Sequence, residues 1–126
     1  SLNFGKELMQ TDPPLIQIEV TAKFQHNLRI LAKKYRNIRN DILPIIEQLQ
    51  SGELPGDRIA GVGHTIFKLR VKNSDIQKGK SGGYRIIYYV KTPTQIILIT
   101  IYSKSEQEDI SAEDIQQILA DFKQQQ

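Results

Sequence analysis

Between residues 64 and 104 the chain gathers side chains suited to gripping a polyanion. Lys68, Arg70, Lys72, Lys78, Lys80, Arg85, Lys91 and Lys104 stand there against a single acid, Asp75. Lys68, Arg70 and Lys72 alternate with Phe67, Leu69 and Val71. In a strand they would share one face, spaced by about 6.6–6.8 Å. By the same count Arg85 shares a face with Ile87 and Tyr89, and Tyr102 and Lys104 share one with Leu98 and Thr100. Adjacent strands would then set Lys, Arg and Tyr around one concavity. Arg binds phosphate oxygens bidentately, Lys adds a point charge, and Tyr can stack on a base or donate a hydrogen bond. Fixed cations beside a phosphate also stabilise the added charge of a phosphoryl transition state. A lysine crowded by other cations loses proton affinity and approaches a general base. A solvated sheet face would show the same alternation, so the pattern nominates residues without settling their role.

Other chemistries are excluded by what is missing. There is no cysteine, hence no disulfide framework, no Cys-ligated metal and no thiol nucleophile. The two histidines, His26 and His64, lack metal-ligand spacing and no acidic cluster joins them, so no metal site is expected. His26 falls on a helix surface, whereas His64 opens a strand and is a candidate neighbour of the basic face. Lys78–Gly83 contains a Gly-Lys-Ser triplet but lacks the first P-loop glycine and precedes a strand. It is expected to be a mobile basic loop that reaches a nucleic-acid backbone. Among the acids after Lys104, Glu113 and Asp114 suit the first turn of a helix. Glu106, two residues past Lys104, is expected at the edge of the site.

The elements that must position these residues follow from periodicity. At 126 residues the chain has the length of one domain. Its net charge of +3 divides into +1 over residues 1–63, +7 over 64–104 and −5 over 105–126. The positive middle points to a polyanionic partner. The apolar runs Ile86–Val90 and Ile96–Ile99 fall far short of the ~18 residues of a membrane span. The first residues carry no apolar leader, so the cytoplasm is the expected compartment. Residues 1–14 are expected to form a flexible arm and 15–126 one domain. Leu15–Val20 alternates as a strand, and Thr21 can cap a basic amphipathic helix built on Phe24, Leu28, Leu31, Ala32 and Tyr35. A second helix is expected from about Asn40 to Gln50, capped by Asn40 or Asp41 with Pro44 in its first turn. Residues 52–63 are turn-rich and read as a loop. Three strands follow, over Thr65–Lys72, Tyr84–Lys91 and Gln95–Lys104, and then a helix capped by Ser111. The result is an α+β fold, an antiparallel sheet with a helical hairpin on one face and a C-terminal helix.

Three stretches carry a resemblance: Phe67-Lys-Leu-Arg-Val-Lys72, Lys78-Gly-Lys-Ser-Gly-Gly-Tyr-Arg-Ile-Ile-Tyr-Tyr89, and Ile99-Thr-Ile-Tyr-Ser-Lys-Ser-Glu106 with Asp109-Ile-Ser111. Together they resemble the RelE/ParE toxin superfamily, and within it the HigB-type members of the RelE branch, over about residues 15–122. The resemblance implies a RelE-like fold and a ribosome-dependent mRNA endonuclease from a toxin–antitoxin pair. The RNA's own 2′-hydroxyl would attack the adjacent phosphate, with no metal or cofactor. Arg85 then matches the strand arginine at the scissile phosphate, Lys68 and Arg70 the preceding basic strand, and Lys104 the basic end of the last strand. Ser105, Ser111 and Ile66 depart from the RelE pattern, and Lys72, Lys78, Lys80 and Tyr102 are the further candidates for RNA contact. The implied partners are a helix-turn-helix antitoxin of the HigA kind and the mRNA-loaded ribosome, with no membrane. A ParE-like poison of DNA gyrase and an inactive RelE-like binding protein share the same pattern of elements.

Overall fold

The computed structural model describes residues 15–76 and 82–125. The elements are β1 (Gln17–Val20), α1 (Ala22–Lys34), α2 (Ile38–Gln50), β2 (Asp57–Ile59), β3 (Ile66–Val71), β4 (Tyr84–Thr92), β5 (Gln95–Ser103) and α3 (Ala112–Gln124). They form one sheet in the order β1-β5-β4-β3-β2. The α+β arrangement is as expected, with two corrections. β1 runs parallel to β5, pairing Gln17–Val20 with Gln95–Leu98, so the sheet is mixed rather than wholly antiparallel. Asp57–Ile59, read as loop, adds a short antiparallel edge strand against Ile66–Lys68. The arm expected over residues 1–14 and the loop residues Lys78 and Lys80 lie outside the described residues.

Caps fix where the helices start. Thr21 Oγ1 accepts the Phe24 N–H at 3.0 Å and donates to the Ile99 carbonyl at 2.6 Å. Asn27 Nδ2 donates to the Ile101 carbonyl at 3.1 Å. These two side chains cover the β5 edge where β1 has ended, which protects an otherwise open ladder. Ser111 Oγ accepts the Asp114 N–H at 3.1 Å and starts α3, with Glu113 and Asp114 in its first turn. The second helix differs from expectation. It begins at Ile38, and Pro44 lies in its interior. Pro44 offers no N–H to the Asn40 carbonyl, but both residues are exposed, so water can take that place. Asp41 is no cap. Its Oδ2 accepts the Ser74 N–H at 2.9 Å and ties α2 to the connection after β3.

The sheet separates two cores. Phe24 and Leu31 of α1 and Ile38, Ile42 and Leu49 of α2 pack on Leu69, Val71, Ile86, Tyr88 and Leu98. On the opposite face Ile115 and Leu119 of α3 pack on Ile66, Ile87, Ile99 and Tyr102. β5 is buried on both faces, which explains its nearly continuous apolar run. Two register shifts break strict alternation between β4 and β5, one between Ile87 and Tyr88 and one between Val90 and Thr92. Ile87 pairs with Thr100 and Tyr88 with Leu98, leaving Ile99 over. Leu98 and Tyr102 therefore lie in opposite cores instead of sharing a face.

Candidate functional site

Register brings the basic strands together. Arg70 pairs with Arg85, and Arg85 pairs with Tyr102, so three strands place one transverse row side by side. Lys68, Ile87 and Thr100 make the next row. Paired residues point to the same side of a sheet, and this side is the one that α3 partly covers.

Arg85 is the unusual member of the row. It is only 7% exposed. Its Nη1 donates to the Tyr84 carbonyl at 3.2 Å, and among the described residues no carboxylate pairs with it. A buried guanidinium is costly unless an anion compensates it. Its setting depends on a glycine. A methyl group at Gly83 would stand 2.5 Å from the Val71 carbonyl oxygen and 3.8 Å from Arg85 Nη1. Only a residue without a side chain lets β4 start this close to β3.

An acid completes the cluster. Asp109 Oδ1 accepts from Lys68 Nζ at 3.2 Å, from the Ile110 N–H at 2.8 Å and from the Tyr102 hydroxyl at 3.5 Å. The Ile110 N–H foremost, and then Lys68, hold the Asp109 carboxyl below the usual carboxylate range. Tyr102 is pushed up to about 12, chiefly by burial and then by the charge of Asp109. Its hydroxyl therefore stays protonated at neutral pH and acts as a donor. Lys104 Nζ donates to the Glu108 carbonyl at 2.7 Å, and the Lys104 N–H donates to the Gly83 carbonyl at 2.9 Å.

Several candidates stand differently from their sequence assignment. The Tyr102 ring is 4% exposed and belongs to the core under α3, so its hydroxyl, and not its face, reaches the site. Lys68 contacts an acid instead of being crowded by cations. Lys72 lies just past the end of β3 and is exposed. Glu106 pairs with Lys34 on α1 at 2.7 Å, and Asp109, which sequence reasoning passed over, is the acid at the row. Its signals were membership of the acidic run after Lys104 and a place in the Asp109-Ile-Ser111 stretch of the resemblance. His64 packs against Tyr89, with ring centroids 5.0 Å apart and planes tilted by 58°, and Tyr89 stands about 13 Å along β4 from Arg85.

A family model described as the RelE toxin of the RelE/RelB toxin–antitoxin system matches residues 21–125. The chain belongs to the RelE toxin family. The match opens on Thr21, the cap of α1, and closes at the end of α3, so it spans both cores and every residue of the cationic row. A RelE toxin is one half of a toxin–antitoxin system, so this toxin has an antitoxin as its partner. No described helix of the toxin is long and apolar enough to cross a membrane. In chemical terms the row offers a buried guanidinium, an exposed guanidinium, an ammonium and a neutral phenol on one face, a set that fits a phosphodiester.

Proposed function

We propose that this RelE-family toxin is an mRNA interferase of the HigB type that cuts mRNA on the ribosome. The observation that carries the reading is Arg85, a buried guanidinium with no carboxylate partner among the described residues. A group so placed is prepared for an anion that arrives from outside. Arg85 grips the scissile phosphate, and Lys68, Arg70 and Lys104 supply further positive charge. Lys72, Lys78, Lys80 and Tyr102 hold the flanking backbone, with Tyr102 acting through its hydroxyl.

The reaction is an internal transesterification. The 2′-oxygen loses its proton and bonds to phosphorus. The bond to the 5′-oxygen breaks, and that oxygen takes up a proton. A 2′,3′-cyclic phosphate and a free 5′-hydroxyl result. Negative charge accumulates on the non-bridging oxygens, where Arg85 donates. Removing one such donor typically costs about 10²–10³-fold in rate. The partner is an antitoxin of the HigA kind, whose acidic segment would cover the basic row and mimic RNA. Both partners and the ribosome share the cytoplasm.

Expression in a bacterial host tests this reading. Growth arrest accompanied by discrete new mRNA 5′ ends, mapped by primer extension, is expected. Growth arrest with intact mRNA would contradict it, and inhibited DNA supercoiling by gyrase would replace it with the ParE-like reading.

A further inference from the structure

In this site an acid engages Lys68 and Tyr102, two of the groups that the proposed reaction directs at the RNA backbone. Asp109 Oδ1 draws an ammonium at 3.2 Å, a backbone amide at 2.8 Å and a phenolic hydroxyl at 3.5 Å onto a single oxygen. The same three kinds of donor bind phosphate oxygens. The connection carrying Asp109 is fastened at the same corner of the sheet. Lys104 Nζ donates to the Glu108 carbonyl at 2.7 Å, and Gln107 Nε2 donates to the Asp109 carbonyl at 3.0 Å. The carboxylate is thus delivered to its donors by an ordered turn.

We infer that Asp109 is an internal stand-in for the substrate phosphate, holding Lys68 and Tyr102 in the free toxin and giving way when an RNA backbone enters. The inference rests on the RNA-cleaving reading and adds a threshold to it. An incoming phosphate must compete with a carboxylate already in place and must approach its charge. The contact is weak enough to yield. The Asp109 side chain is 62% exposed and that of Lys68 36%, and ion pairs of this kind are screened and marginal. Free RNA at low concentration loses the competition. An mRNA tethered beside the toxin by the ribosome has a high effective concentration and wins it. The turn therefore biases the toxin against stray RNA.

The test uses a short single-stranded RNA, 2′-O-methylated throughout so that it cannot be cut, with binding followed by fluorescence anisotropy. Asp109→Asn keeps the shape and removes the charge. Its affinity is expected to rise about two- to tenfold, the effect of removing one like charge at near-surface range. Glu108→Gln removes an equal charge one residue away, outside the donor cluster, and should give a clearly smaller gain. RNA binding by the wild type without tightening in Asp109→Asn, or equal tightening in Glu108→Gln, overturns this inference and leaves the proposed function standing. Absence of RNA binding by Asp109→Asn overturns this inference as well, whereas the proposed function, which requires the ribosome, stands or falls by primer extension.

Discussion

Two adjacent glycines should respond very differently to the same substitution. A methyl at Gly83 meets the Val71 carbonyl oxygen at 2.5 Å, and that atom belongs to the backbone of the neighbouring strand. Ordinary contact begins at 3.4 Å, so β3 and β4 must part by about 0.9 Å. Overpacking of this kind costs about 1–3 kcal/mol. Set against a total of about 5–15 kcal/mol for a domain, the Gly83→Ala protein still folds. Function should suffer more than stability. The Gly83 carbonyl accepts the Lys104 N–H, and Arg85 lies two residues further along the same strand end. Misplacing a reacting group by about 1 Å costs on the order of 10²-fold in rate. Gly82→Ala is the control. Its methyl meets only the Ile76 side chain, closely at the tip Cδ1 and at ordinary contact with Cγ1, and that side chain can turn aside, so the loss should stay below about 1 kcal/mol with activity near wild type. Urea titration gives the stabilities, and cleavage of mRNA on programmed ribosomes gives the rates. Equal losses in the two variants, or a Gly83→Ala protein as stable and active as wild type, would refute the close-approach argument.

Thr21→Ala removes a cap worth about 1 kcal/mol. It also orphans the buried Ile99 carbonyl at a cost of about 1–3 kcal/mol. A loss of roughly 2–4 kcal/mol is expected from urea midpoints, with Thr21→Ser largely spared, and a loss below about 0.5 kcal/mol would show that the two hydrogen bonds of Thr21 Oγ1 contribute little. Alkaline pH should destabilise the fold. Burial pushes Tyr88 up to about 12, and burial followed by the charge of Asp109 does the same to Tyr102. An unfolded phenol ionises near pH 10, so this stabilisation is complete below about pH 10 and is lost as pH rises toward 12. The slope reaches about 1.4 kcal/mol per pH unit for each tyrosine. Tyr88→Phe should remove one tyrosine's share of the slope, whereas an unfolding midpoint that stays flat above about pH 10 would contradict the assignment.

Much of the architecture was legible because its signals are local. The hydroxyls of Thr21 and Ser111 announced their helices, and both make the capping bond. Alternation in Phe67–Lys72 correctly separated core from basic face. What escaped is what local pattern does not encode. A four-residue strand such as β1 carries no mark of whether its partner runs parallel, and that pairing is set by where the helical hairpin returns the chain. Three residues, Asp57–Ile59, are too few to show a period. Pro44 looked like a helix boundary, yet exposure lets the helix run through it. The bulge at Ile99 defeated simple counting along β5. At the site, the row of Arg70, Arg85 and Tyr102 follows from strand register and was approached by face counting. The choice of Asp109 over Glu106 depends on how a turn folds back, and spacing along the chain does not reveal it.

The central claim is that buried Arg85 acts on an RNA phosphate. Its most direct test is single-turnover cleavage of mRNA on programmed ribosomes by wild type and by Arg85→Ala, with urea unfolding of both proteins alongside. The account expects the variant to remain folded and to cleave at least about 10²-fold more slowly. A folded Arg85→Ala protein that cleaves at the wild-type rate would contradict it.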